Sequence, residues 1–65
     1  FRSGDRVRVV VAERYDRDQR FWVAYPMLHG PVVLVKATNI DSGDVRLVEI
    51  TGVASERMVY GRVLW

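Results

Sequence analysis

The sequence predicts an all-β domain, a small barrel built from five short strands. Three observations lead there. Apolar residues recur at a spacing of two almost throughout the chain. Clusters of Gly, Pro, Ser and Asp cut it into pieces of strand length. The chain has 65 residues, enough for one domain, and closure of the sheet removes the open edges that a flat five-stranded sheet would expose.

The first strand is expected over Asp5 to Val11, where Val7, Val9 and Val11 alternate with Arg6, Arg8 and Val10. Tyr15 to Gln19 reads as a polar turn. Phe21 to Tyr25 is a second strand, stopped at Pro26, which has no N–H to give a ladder. If Phe21, Val23 and Tyr25 point inward, Trp22 faces out; the opposite phase exposes those three instead. Met27 to Pro31 is a loop. Val32 to Val35 is apolar on both faces and so reads as a central strand. Ala37 to Asp44 is polar and ends in a Ser-Gly-Asp turn. The fourth strand is expected over Val45 to Thr51 and the fifth over Met58 to Leu64. Gly52 to Arg57, between them, is a hairpin loop or one short helical turn.

Two local features qualify this pattern. Arg46 shares the phase of Val48 and Ile50. It therefore belongs at a barrel rim, or a bulge flips the phase after Leu47, because an unpaired buried charge is costly. Ser-Gly-Asp also occurs twice, at 3–5 and 42–44, with Val9 and Val48 then in the same phase. Either a strand–turn unit is duplicated or a favoured turn recurs by chance. The expected core is Val7, Val9, Val11, Val32, Leu34, Val48, Ile50, Val59 and Val63. Gly61 lies mid-strand, where a bulge or a close backbone approach would require it.

Composition narrows the function classes. There is no Cys, hence no disulfide and no thiolate metal site. No apolar run nears the roughly 20 residues of a membrane helix. The chain begins at Phe1 without Met and reads as a fragment of a larger protein; the absence of Cys fits a cytoplasmic origin. Net charge is +2, from 10 basic and 8 acidic residues. The basic set is Arg-rich, which suits phosphate recognition and equally follows from GC-rich codons. His29, the single histidine, has no partner for a metal site. Ser3, Ser42 and Ser55 sit at turns, with no base beside them in sequence. Asp16 and Asp18 lie among Arg14, Arg17 and Arg20 and read as a self-neutralising turn. Asp5 and Asp44 follow glycines at strand entries, where local side chain–backbone hydrogen bonds explain them.

Phe21, Trp22 and Tyr25 interleave with Arg14, Arg17 and Arg20. Aromatic platforms beside phosphate-neutralising Arg are the pairing used by single-strand binders. Arg14, Arg20, Trp22 and Lys36 are the candidate contact residues. Arg20 and Trp22 point the same way on one strand, and Lys36 ends the central strand, which can run beside it.

The run Arg20-Phe21-Trp22-Val23-Ala24-Tyr25-Pro26-Met27-Leu28-His29-Gly30-Pro31-Val32 resembles the second-to-third strand region of TRAM domains. It looks most like the TRAM domain that ends radical-SAM methylthiotransferases, especially the type that modifies an aspartate of a ribosomal protein. Arg20, Pro26, Leu28, Gly30 and Val32 stand where that family has its strand Arg, its Pro, an aliphatic residue, the Gly of Asp-Gly and a β-branched strand. Gly43-Asp44, Val48, Ile50 and Val59-x-Gly61 continue the likeness over nearly the whole chain. Gln19 stands in place of the family's Gly, His29 in place of its Asp, and Phe21-Trp22 is bulkier. The resemblance implies an OB-like barrel that recognises RNA or a ribosomal protein for its parent enzyme's catalytic domain. It implies no catalytic residue and no cofactor in this chain, since the family's cluster cysteines lie in another domain. The alternatives are an SH3-like barrel that binds a peptide and a structural or designed barrel without a ligand.

Overall fold

The spacing-two pattern resolves into five strands: β1 (Arg6–Arg14), β2 (Trp22–Pro26), β3 (Val32–Val35), β4 (Val45–Ser55) and β5 (Met58–Val63). They are seen in a computed structural model that describes residues 2–65. The sheet closes in the order β1-β2-β3-β5-β4, with β4 returning to β1. All neighbours are antiparallel except β3 and β5, which run parallel. The domain is an all-β, OB-like small barrel. Among the described residues, no helix is long and apolar enough to cross a membrane.

The interior holds Val9, Val11, Trp22, Ala24, Val33, Val35, Ile40, Val48, Ile50 and Val59, with Val7, Ala37 and Val63 packed against it. Most of the expected valines and Ile50 are therefore where alternation places them. On β2 and β3 the phase is reversed. Trp22 and Ala24 point into the central cluster, opposite Val35 and Val33, while Val23 and Leu34 face each other on the other face of the sheet, where both are nevertheless buried, Leu34 at 3% exposed. Val32 is half-buried, and Tyr25 is 49% exposed. A shift of one residue moves every side chain of a strand to the other face, and size decides which phase is adopted here. Phe21, Val23 and Tyr25 together are far bulkier than Trp22 and Ala24, and the smaller set is the one turned inward. The inward phase instead takes one ring, Trp22, and then a methyl, Ala24.

Ile40 also corrects the expectation. The β3–β4 connection is polar in composition, yet Ile40 is buried in the core cluster and Ala37 packs on it. The connection thus supplies an apolar plug to the barrel interior.

The close approach expected at Gly61 is present. A Cβ there would fall 2.7 Å from Cγ1 of Val33 and 3.4 Å from Cγ2 of Val48. Arg46 lies at the rim rather than in the core. Its guanidinium is held by the Asn39 carbonyl at 3.0 Å and by Asp44 at 3.2 Å, and β1–β4 pairing runs without a break past it.

Strands β1 and β4 are longer than expected because bulges hide their ends. Register shifts at Ala12, Thr51 and Ala54 break the alternation while pairing continues. Of Gly52 to Arg57, expected as a loop or a short helical turn, Gly52 to Ser55 is strand, and the turn itself is Glu56–Arg57.

The two Ser-Gly-Asp turns are related by a local two-fold about the Arg8–Leu47 pair. Gly4 and Gly43 have φ of 94° and 92°, the left-handed position that a type II turn reserves for Gly. Gly4 N–H donates to the Ile50 carbonyl and Gly43 N–H to that of Val11, each at 2.7 Å. The Ile50 and Val11 amides donate back to the carbonyls of Asp5 and Asp44, each at 2.8 Å. Asp5 accepts the Arg2 N–H and Asp44 the Asp41 N–H. Each serine hydroxyl donates to a bulge carbonyl on the opposite strand, Ser3 to Thr51 and Ser42 to Ala12. A turn, a strand and a bulge are thus repeated as one unit, and each copy fastens the end of the other.

Candidate nucleic-acid interface

The site begins at the β1 bulge. With Ala12 set aside from the ladder, Arg14 falls opposite Trp22. Its guanidinium carbon lies 4.8 Å from the centroid of the Trp22 ring, a cation–π contact, and Nη1 donates to the Gln19 carbonyl at 3.1 Å. Arg14 therefore covers the one aromatic ring of the core cluster among the described residues.

The polar turn expected over Tyr15 to Gln19 is present and closed by its backbone. Tyr15 N–H donates to the Phe21 carbonyl and Phe21 N–H to that of Asp18. Asp18 gathers Arg20, accepting its backbone N–H at 3.1 Å, its Nε at 3.0 Å and its Nη2 at 2.8 Å. The Arg20 hydrogen bonds, side chain first and then backbone, hold the Asp18 carboxyl well below its usual range, at about 2, and the Arg20 guanidinium is raised in turn. At the rim, Asp44 is also lowered, first by the Asp41 N–H and then by Arg46.

Arg14, Arg20 and Lys36, from three separate stretches of chain, line one open cleft of about 720 Å³ with Asp18, Gln19, Ala37 and Thr38. Three cations thus face one carboxylate. Lys36, just past the end of β3, is exposed. Trp22, the fourth candidate, does not join them at the surface. It is 9% exposed and belongs to the core, because β2 adopts the phase that points it inward.

The exposed aromatic surface lies on the other side of the β1–β2 loop. Phe21 and Tyr60 pack with ring centroids 5.7 Å apart at 42°. Tyr60 stands opposite Leu34. Tyr15, Arg17, Leu34, Met58 and Tyr60, with Ala54 and Ser55, line a shallow groove of about 490 Å³. The sequence signal for Tyr60 was present, since it alternates with Val59 and Gly61.

The remaining polar candidates have local duties. Ser55 Oγ accepts the Arg57 N–H, and Ser3 and Ser42 serve the twin turns. His29 is an exposed loop residue. Among the described residues, no three His, Cys, Asp or Glu side chains are grouped to hold a metal ion.

No family model matches this sequence. The chain is similar to an uncharacterized protein of Methanopyrus kandleri, with 41% identity over 61 residues. The match takes in 94% of this chain and 12% of that protein, so the barrel corresponds to a small part of a much longer polypeptide there.

Proposed function

We propose that this barrel is a recognition module for single-stranded RNA, with the chemistry carried by another domain. The observation that carries the reading is the convergence of Arg14, Arg20 and Lys36 on one open cleft, one loop away from the Phe21–Tyr60 pair. The cleft suits a phosphate backbone, and the tilted rings suit unstacked bases, whose faces stack without regard to sequence. OB-like barrels commonly use such outer surfaces for oligonucleotides. The likeness to TRAM domains supports the same reading, in which the barrel presents an RNA or ribosomal substrate to a methylthiotransferase-type catalytic domain.

Binding of a labelled single-stranded RNA, titrated at several salt concentrations, tests this. Each phosphate contact on a single strand adds about 0.7 to the log–log salt slope. Three cations in contact predict a slope of about 2, and Lys36→Ala should lower it by about 0.7. A slope near zero would reject the reading.

A further inference from the structure

We infer that a second face of the barrel, centred on Arg8, docks an acidic protein segment with apolar anchors. Arg8 is the wall shared by two grooves. One, of about 310 Å³, is lined with Arg6, Met27 and Leu28. The other, of about 180 Å³, is lined with Val45, Leu47 and Trp65. The side chains here are unusually apolar for a surface: Leu28 is 85% exposed, Met27 59% and Val45 55%. They are also contiguous. Val10 pairs with Val45 on one side and Tyr25 on the other, so an apolar row crosses β4, β1 and β2. Met27 is fixed beside Arg8 by its N–H, which donates to the Arg8 carbonyl at 3.0 Å. Clustered apolar surface of this kind marks a binding site rather than scattered exposure.

Charge names the occupant. No carboxylate lines either groove. Among the described residues, neither Arg6 nor Arg8 has an ion-pair partner, and Glu49, opposite Arg6, is bonded to Arg62. Arg6 and Arg8 project from the same side of β1, about 7 Å apart by strand geometry. Two carboxylates at alternate positions of an extended segment match that spacing. The aliphatic side chains between and beside them would take Leu, Met or Phe anchors. A nucleic acid would satisfy the arginines but leave Met27, Leu28 and Val45 without a use. None of these residues belongs to the cleft of Arg14, Arg20 and Lys36, so this inference does not rest on RNA binding there.

The test pans a displayed library of random dodecapeptides against the 65-residue chain. Selected sequences should carry Asp or Glu two positions apart beside Leu, Met or Phe. A labelled peptide from that set should shift the amide resonances of residues 6–10 and 27–28. Arg8→Glu should weaken it by on the order of thirtyfold or more. Leu28→Ser, a change in an exposed loop, should weaken it without altering the fold. Lys36→Ala should leave it unchanged. Selection without acidic residues, or binding indifferent to Arg8→Glu, overturns the inference. So does a single-stranded RNA that perturbs the same amides and is lost with Arg8→Glu.

Discussion

Gly61 shows how one missing methyl lets a strand lie close against the core valines. Its Cα faces Val33 and Val48 closely enough that a Cβ would sit 2.7 Å from a Val33 methyl. Gly61→Val should therefore destabilise the fold by about 1–3 kcal/mol, the range for overpacking. The check is a lowered urea midpoint at an unchanged m-value; an unmoved midpoint would mean that β5 can shift outward without cost. Trp22 is the opposite case, a ring that fills space. Trp22→Ala should cost about 3–5 kcal/mol as a large-to-small core change, so it cannot serve as a probe of stacking. Asp18 offers a pH test. Its folded pKa is depressed, from an ordinary 3.8 to about 2, so the stability from its bonds to Arg20 is present above 3.8 and lost as pH falls toward 2. Between those values the wild-type urea midpoint should fall more than that of Asp18→Asn. Parallel midpoint curves for the two proteins would show that the exposed pair contributes nothing, as many surface pairs do.

At the scale of strands and turns, the twin Ser-Gly-Asp units make a matched prediction. Gly4 and Gly43 hold nearly the same φ, and neither has an atom within 4 Å of where a Cβ would stand. Substitution by Ala thus reports backbone strain without a clash. Each should cost about 1–2 kcal/mol, the penalty of the left-handed region, and the two should be equal within error. A large inequality in thermal or urea unfolding would mean that the two-fold is geometric only. These turns also show what the sequence could tell. Period two marks all five strands because β1, β4 and β5 each bury one face over much of their length. It failed where alternation stops while pairing goes on, at Ala12, Thr51 and Ala54. It also failed on β2 and β3, which carry apolar residues on both faces. There the pattern allows two phases, and only the volume of the closed barrel selects Trp22 and Ala24 for the inside. Ile40 was hidden by its polar neighbours, since a single plug residue has no period. Of the candidate site, Arg14, Arg20 and Lys36 could be named from the sequence. Their nearness could be read as well, from the adjoining second and central strands, and only Trp22, turned into the core, leaves the group.

Across the whole molecule, closure gives a small domain two separate outward surfaces. The cationic cleft and the Phe21–Tyr60 rings flank the β1–β2 loop; the Arg8 face lies across β1 and β4 with the β2–β3 loop beside it. If the first takes RNA, charge and stacking should separate by their response to salt. Lys36→Ala removes a counterion-releasing contact, so it should weaken binding most at low salt and flatten the slope by about 0.7. Tyr60→Leu keeps an apolar side chain beside Leu34 but removes the π face. It should weaken binding by about 1–3 kcal/mol at every salt concentration and leave the slope unchanged, because stacking releases no ions. The two residues line different grooves; if they act on separate parts of the ligand, the double variant should show the sum of their effects to within about 0.5 kcal/mol. Arg8→Glu complicates this, since it also lowers the net charge of +2 by two. Its effect on RNA should therefore be a uniform, salt-screened loss with no change in which bases are preferred. A slope flattened by about 0.7, as for Lys36→Ala, or a change in which bases are preferred would instead place Arg8 in contact with the RNA, and the two faces would then have to be read as one continuous track around the barrel.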